Sequence, residues 1–134
     1  MFDTNIYVSW IRGKEHEELI LKFGTVKYMS AVVLMELWAG ARSKRASRIV
    51  ETLQRPYLNA GRVIPLTLKN YIAAGQLISD LPVSHKNLIG TSDFVNDIQI
   101  ALTALSVGAA LYTSNRKHYN IIGSALKSLH LVYV

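Results

Sequence analysis

The chain has 134 residues, half of them apolar, and carries 15 Lys and Arg against 9 Asp and Glu for a net charge of +6. That length suits one domain able to bury its own core, and the apolar content excludes a disordered chain. With no cysteine present, a disulfide framework and a thiolate metal site are both excluded, which suits a reducing cytoplasm.

Met1 to Asp3 reads as the end of a first strand, and no basic leader with an apolar stretch opens the chain, so no signal peptide is expected. Lys14 to Phe23 predicts a helix stopped by Gly24. Thr25 to Met29 is a short β-prone stretch, and Ser30 is placed to cap a helix carrying Val33, Leu34, Leu37, Trp38 and Ala41 at helical spacing. A further amphipathic helix, Lys44 to Leu53, is expected to end before Pro56. After Gly61, Arg62 to Leu66 reads as a strand with Pro65 near its end, and Leu68 to Ile78 as a helix. Leu81 to Ser92, punctuated by Pro, Gly and Ser, reads as a connection. Asn96 to Val107 predicts a helix closed by Gly108, and strands are expected at Ala109 to Thr113 and Leu129 to Val134. The longest apolar run, Ile98 to Tyr112, is broken by Gln99, Thr103, Ser106 and Gly108. It is also shorter than the ~18 apolar residues of a membrane span. Strands alternating with helices point to one α/β domain over residues 1 to 134, with a parallel sheet covered on both faces.

Three acids stand in otherwise apolar settings: Asp3 in FDTN, Glu36 in SAVVLMEL and Asp97 in NDIQIALTA. Buried carboxylates are costly unless they meet a cation, and a cluster of oxygen ligands suits Mg²⁺ or Mn²⁺. In a parallel sheet, ligands bind beyond the carboxyl ends of the strands. Asp3 ends the first strand, Glu36 lies on the second turn of the helix after the second, and Asp97 opens the helix before the fourth. Thr113, Ser114 and Asn115 close that fourth strand. Taken singly, Asp97 also suits a helix-start acid and Asp3 a simple turn. Glu36, ringed by Leu34, Met35, Leu37 and Trp38, has no comparable explanation.

Basic residues follow the acids. Arg12 and Lys14 come after Asp3, Arg42, Lys44, Arg45 and Arg48 after Glu36, and Arg116 and Lys117 after Asn115. The excess favours a nucleic-acid partner, although such residues also suit ordinary solvated helix faces.

FDTN, the spacing from Ser30 to Glu36-Leu37, NDIQIALTAL and YTSN together resemble a PIN domain, most closely the VapC-type toxins of toxin–antitoxin pairs. The resemblance implies a five-stranded parallel sheet in the order 3-2-1-4-5. It also implies an Mg²⁺- or Mn²⁺-dependent endoribonuclease, a VapB-like antitoxin and a homodimer. Asp3, Glu36 and Asp97 match the family's three acids and would hold the metal, while Asn115 matches the fourth site position. Thr4 and Ser114 match its supporting polar positions. Arg42, Lys44, Arg45, Arg116 and Lys117 are candidates for the RNA backbone, and Tyr7 and Trp10 for base stacking or core packing. Apolar positions such as Ile49, Leu53 and Leu58 suit a dimer, an antitoxin or the core.

The chain departs from the pattern in three places. Only Met1 and Phe2 precede the first acid, so the strand is unusually short or its start lies upstream. His118 and Tyr119 stand where an acid and an aromatic are usual, and His118 suits a phosphate contact, a proton shuttle or a plain surface position. Asp93, one helical turn before Asp97, suits an outer ligand or a cap. A degenerate PIN-like module that binds RNA or a protein without cleaving is therefore the alternative. A receiver-like phosphotransfer domain is disfavoured, because Ile64-Pro65-Leu66-Thr67 offers no phosphoacceptor Asp. The absence of a P-loop, G-x-G-x-x-G or H-E-x-x-H argues against nucleotide cofactors and zinc.

Overall fold

The computed structural model describes residues 1–89 and 91–134. The helices are α1 (Thr4–Gly13), α2 (Glu17–Leu21), α3 (Ala31–Gly40), α4 (Lys44–Asn59), α5 (Leu68–Asp80), α6 (Lys86–Ile89), α7 (Ser92–Ser106) and α8 (Arg116–Ala125). The strands are β1 (Met29–Ser30), β2 (Val63–Ile64), β3 (Leu111–Thr113) and β4 (Leu131–Tyr133). Helix α7 lies at the centre, with Phe94, Ile98, Ile100, Ala101 and Ala104 fully buried. Helices α3, α5 and α8 pack against it, and α1 packs on α3. No helix among the described residues is long and apolar enough to cross a membrane.

The five-stranded sheet expected from the sequence is not formed among the described residues. Two parallel pairs stand in its place, β1 with β2 and β3 with β4, and Phe2 adds one parallel bridge to Tyr112. The expected order needs the first strand beside the second as well, and no such pairing is present among the described residues. The strands are short because helix caps and a proline interrupt them. Asp3 caps α1 directly after Phe2, Ser30 caps α3 at the end of β1, and Pro65 follows β2 without an N–H to give. The first strand is nonetheless engaged: the Asp3 N–H donates to Tyr112 O at 2.9 Å and the Tyr112 N–H to Met1 O at 3.0 Å.

The helices also depart from the expected boundaries. Helix α1 occupies a stretch with no predicted helix, because its cap is in place and Ile6 and Tyr7 are fully buried. The expected helix from Lys14 to Phe23 shrinks to α2, since Lys14 (φ 61°) and His16 (φ 59°) turn the chain through the left-handed region. Helix α4 runs through Pro56 to Asn59, and its last turn is held by buried Tyr57, whose hydroxyl meets that of Tyr7 at 2.9 Å. Within the expected connection Leu81 to Ser92 lie a 3₁₀ turn, Val83–His85, and α6; Gly90 falls outside the described residues. Helix α7 starts at Ser92, so Asp97 sits on its second turn rather than opening it, and Asp93 takes the first turn.

Candidate active site

Parallel strands carry their ends to one edge, and the acids assemble there. Asp3 is 2% exposed and caps α1, with Oδ1 accepting the Thr4 N–H at 2.8 Å. Its Oδ2 accepts Asn5 Nδ2 and the Thr113 hydroxyl, each at 2.8 Å. Thr113, fully buried at the end of β3, also accepts the Asn115 N–H at 3.0 Å. Asn115 caps α8 and passes Nδ2 to Asp97 Oδ2 at 2.9 Å, and His118 Nδ1 reaches the same oxygen at 2.6 Å. Across the site, Glu36 on α3 accepts the Thr4 hydroxyl and, at 2.7 Å, Asn96 Nδ2 from α7. One hydrogen-bonded network therefore joins residues of α1, α3, α7, β3 and α8.

The titration behaviour follows from burial and like charge. Burial raises Asp97 to a pKa of about 8, with Asp3, Glu36 and Asp93 adding repulsion and the Asn115 hydrogen bond opposing them. Burial likewise raises Asp3 to about 6, partly offset by the donors from Thr113 and Thr4. His118 is lowered by burial and by Lys117. The Tyr119 hydroxyl is fully buried and pushed well up, first by burial and then by Asp3 and Asp97. It sits close enough to Asp3 to favour the ionised carboxylate, yet it makes no hydrogen bond of normal geometry.

The donor chemistry fits a hard divalent cation. The ion pairs among the described residues are Lys14–Glu17, Arg55–Glu51 and His118–Asp97, so neither Asp3 nor Glu36 has a Lys or Arg partner there. Asp97 Oδ1 takes no hydrogen bond among the described residues, while Oδ2 takes two. The side chains stand too far apart, as placed, for any three His, Asp or Glu groups among the described residues to surround one point.

Hydrogen bonds thus tie Asp3, Glu36, Asp97, Asn115, Thr4 and His118 into one network. Asp93 stays exposed at the first turn of α7, bonded to the Ser92 hydroxyl at 3.3 Å. Ser114 is exposed and joins the network only through its N–H, at 3.5 Å from Asn5 Oδ1. Thr113 takes the supporting place that the resemblance gave to Ser114. Asn5 and Asn96 are further members that sequence reading did not assign, though each lies within two residues of an acid, and the buried Tyr119 hydroxyl lies near Asp3 without joining the network.

The basic candidates divide. Arg116 and Lys117 sit on the first turn of α8, beside His118, with the Arg116 guanidinium 4.6 Å from the Tyr133 ring centre. Arg42 is exposed just beyond α3. Lys44, Arg45 and Arg48 line a separate groove of about 890 Å³ with Lys27, Arg62 and an apolar floor including Ile49 and Leu53. None of the three acids lines that groove. Tyr7 is fully buried and bonded to Tyr57, so it is core rather than a base platform, whereas Trp10 borders the groove and donates to Glu17 at 3.1 Å.

An α/β fold with helices predominating places the chain in the class of PIN-like domains. The PIN domain family matches residues 1–123, and the chain belongs to that family, whose members are generally nucleases. The chain is similar to VapBC2 from Rickettsia felis, solved bound to a DNA fragment from its promoter, with 27% identity and a TM-score of 0.66 over 100% of this chain and 97% of that one. VapBC-1 from nontypeable Haemophilus influenzae shares 23% identity with a TM-score of 0.67, covering 99% and 96% of the two chains. DNA-bound VapBC from Salmonella typhimurium gives the same four figures, 23%, 0.67, 99% and 96%. At those two identities the likeness concerns the fold alone. No curated protein sequence matches the chain.

Proposed function

We propose that the chain is a divalent-metal-dependent endoribonuclease, the toxin of a VapBC-type pair. The observation that carries this reading is the set of three acids tied into one network, with no Lys or Arg among the described residues to neutralise Asp3 or Glu36. Asp3, Glu36 and Asp97 would hold Mg²⁺ or Mn²⁺, Glu36 directly or through water. A cation there supplies Lewis acidity, making water a better nucleophile near neutral pH and offsetting charge on the scissile phosphate. Thr4, Thr113 and Asn115 orient the carboxylates, and Asn96 fixes Glu36 against α7. Arg116 and Lys117 at the start of α8, with Arg42, hold the RNA backbone.

The resemblance sends the C-terminal segment of the antitoxin partner into the active cleft, and a second surface suits the rest of it. The groove beside α1, α2 and α4 combines apolar floor with Lys27, Lys44, Arg45, Arg48 and Arg62 at its rim and has no acid among the described residues that line it. That surface suits an acidic amphipathic segment of a VapB-like antitoxin, the kind of partner present in the similar VapBC complexes. A homodimer working in the cytoplasm completes the reading.

The test is cleavage of a mixed RNA pool by the purified chain with Mg²⁺, Mn²⁺ or EDTA, with product ends mapped. Metal-dependent cutting that leaves 5′-phosphate and 3′-hydroxyl ends supports in-line attack by water. Cyclic phosphate ends would instead mean that the 2′-hydroxyl is the nucleophile. A folded, RNA-bound protein that never cuts would favour the degenerate module, consistent with an Asn rather than an acid at position 115.

A further inference from the structure

Asp97 is gripped from one side only. Asn115 Nδ2 at 2.9 Å and His118 Nδ1 at 2.6 Å both meet Oδ2, while Oδ1 takes no hydrogen bond among the described residues. The two side chains of the His118–Asp97 pair are 14% and 11% exposed, so water competes little for the contact. The ring is held as well: it stands edge-on to fully buried Phe94, with centroids 5.2 Å apart and planes at 86°. The His118 N–H meets Asn115 Oδ1 at 3.3 Å, so the helix cap and the grip on Asp97 form one unit at the start of α8.

We propose that His118 is a positioning residue that locks the Asp97 carboxylate by donating Nδ1–H to Oδ2, which leaves Oδ1 free as a cation ligand. The proposal rests on the metal-dependent reading above. An Asp side chain held by a single donor can rotate about its last torsion, exchanging two equivalent oxygens. Two donors converging on one oxygen from a rigid helix start remove that exchange. A ligand preorganised in this way binds metal more tightly, because its ordering is complete before the ion arrives. The histidine thereby gives the site a hydrogen-bond donor where an acid would add another negative charge.

Three substitutions separate positioning from packing. His118→Phe keeps the ring and removes the donor. His118→Asn places an amide N–H where Nδ1 stands, and His118→Gln places one where Nε2 stands instead. Mn²⁺ binding is measured by electron paramagnetic resonance on each protein, with metal-free melting curves confirming the fold. His118→Phe and His118→Gln should bind Mn²⁺ at least ~10-fold more weakly than the parent, and His118→Asn should keep most of the affinity. At subsaturating Mn²⁺, kcat should follow the same order with little change in KM for RNA. Equal Mn²⁺ affinity in all four proteins would overturn the proposal and leave the nuclease reading standing. So would Asn and Gln variants that bind alike, a comparison that holds even if the Phe variant misfolds. A folded parent that takes up no Mn²⁺ would overturn both readings.

Discussion

At Asp97 burial and like charge act in the same direction, and the consequence for stability has a definite sign. In the unfolded chain this carboxyl titrates near its ordinary 3.8, and in the folded chain at about 8. Between those values the folded state keeps a proton that the unfolded state has released, so raising the pH favours unfolding. Asp3, raised to about 6, adds to the loss up to that point. The buried Met1 amino group, lowered to about 6 and donating to Ala110 O at 2.7 Å, opposes it between pH 6 and 8. Comparison with Asp97→Asn isolates the Asp97 share. In EDTA the variant should gain stability over the parent as pH rises from 4 to 8, by on the order of 5 kcal/mol in urea titrations. Saturating Mg²⁺ should shrink that gain. At this scale the sequence shows the acids plainly, because carboxylates in apolar runs need a reason to be there. It does not show which hydroxyl supports them. Thr113 is buried and its neighbour Ser114 exposed, since adjacent residues at a strand end face opposite ways and one step in the boundary exchanges them.

The elements that place those side chains are set chiefly by their caps. Ser30 is fully buried, its oxygen accepting the Val32 N–H at 3.2 Å and its hydroxyl lying 3.4 Å from that of Thr103. Ser30→Ala should therefore cost about 1–2 kcal/mol in chemical denaturation, and it should loosen the helix turn that carries Glu36. This cap and the Gly108 stop, at φ 63°, are legible because each demands a particular residue type. Helix α1 is not legible, since TNIYVSWIRG is rich in β-branched and aromatic residues that favour strands in isolation. Tertiary burial of Ile6 and Tyr7 decides it. Pro56 misleads in the opposite sense, because one missing N–H late in α4 is outweighed by the anchoring of Tyr57. The shortness of the strands is also hidden, for caps and strand ends compete for the same few residues.

Across the whole molecule, the surfaces divide by chemistry: the acid cluster at the strand ends, the basic-rimmed groove beside α4, and an apolar face on α5. Leu68, Tyr71 and Ile72 share that α5 face at helical spacing and are 75%, 55% and 54% exposed. The proposed role of Asp3, Glu36 and Asp97 is to form one cation site that drives RNA hydrolysis. Its most direct test is the Mn²⁺ dependence of RNA cleavage by the parent beside a folded Asp97→Asn variant. Cleavage that saturates with Mn²⁺ in the parent and drops at least ~100-fold in the variant is the predicted result. Equal cleavage by the two proteins, or cleavage that persists in EDTA, would contradict it.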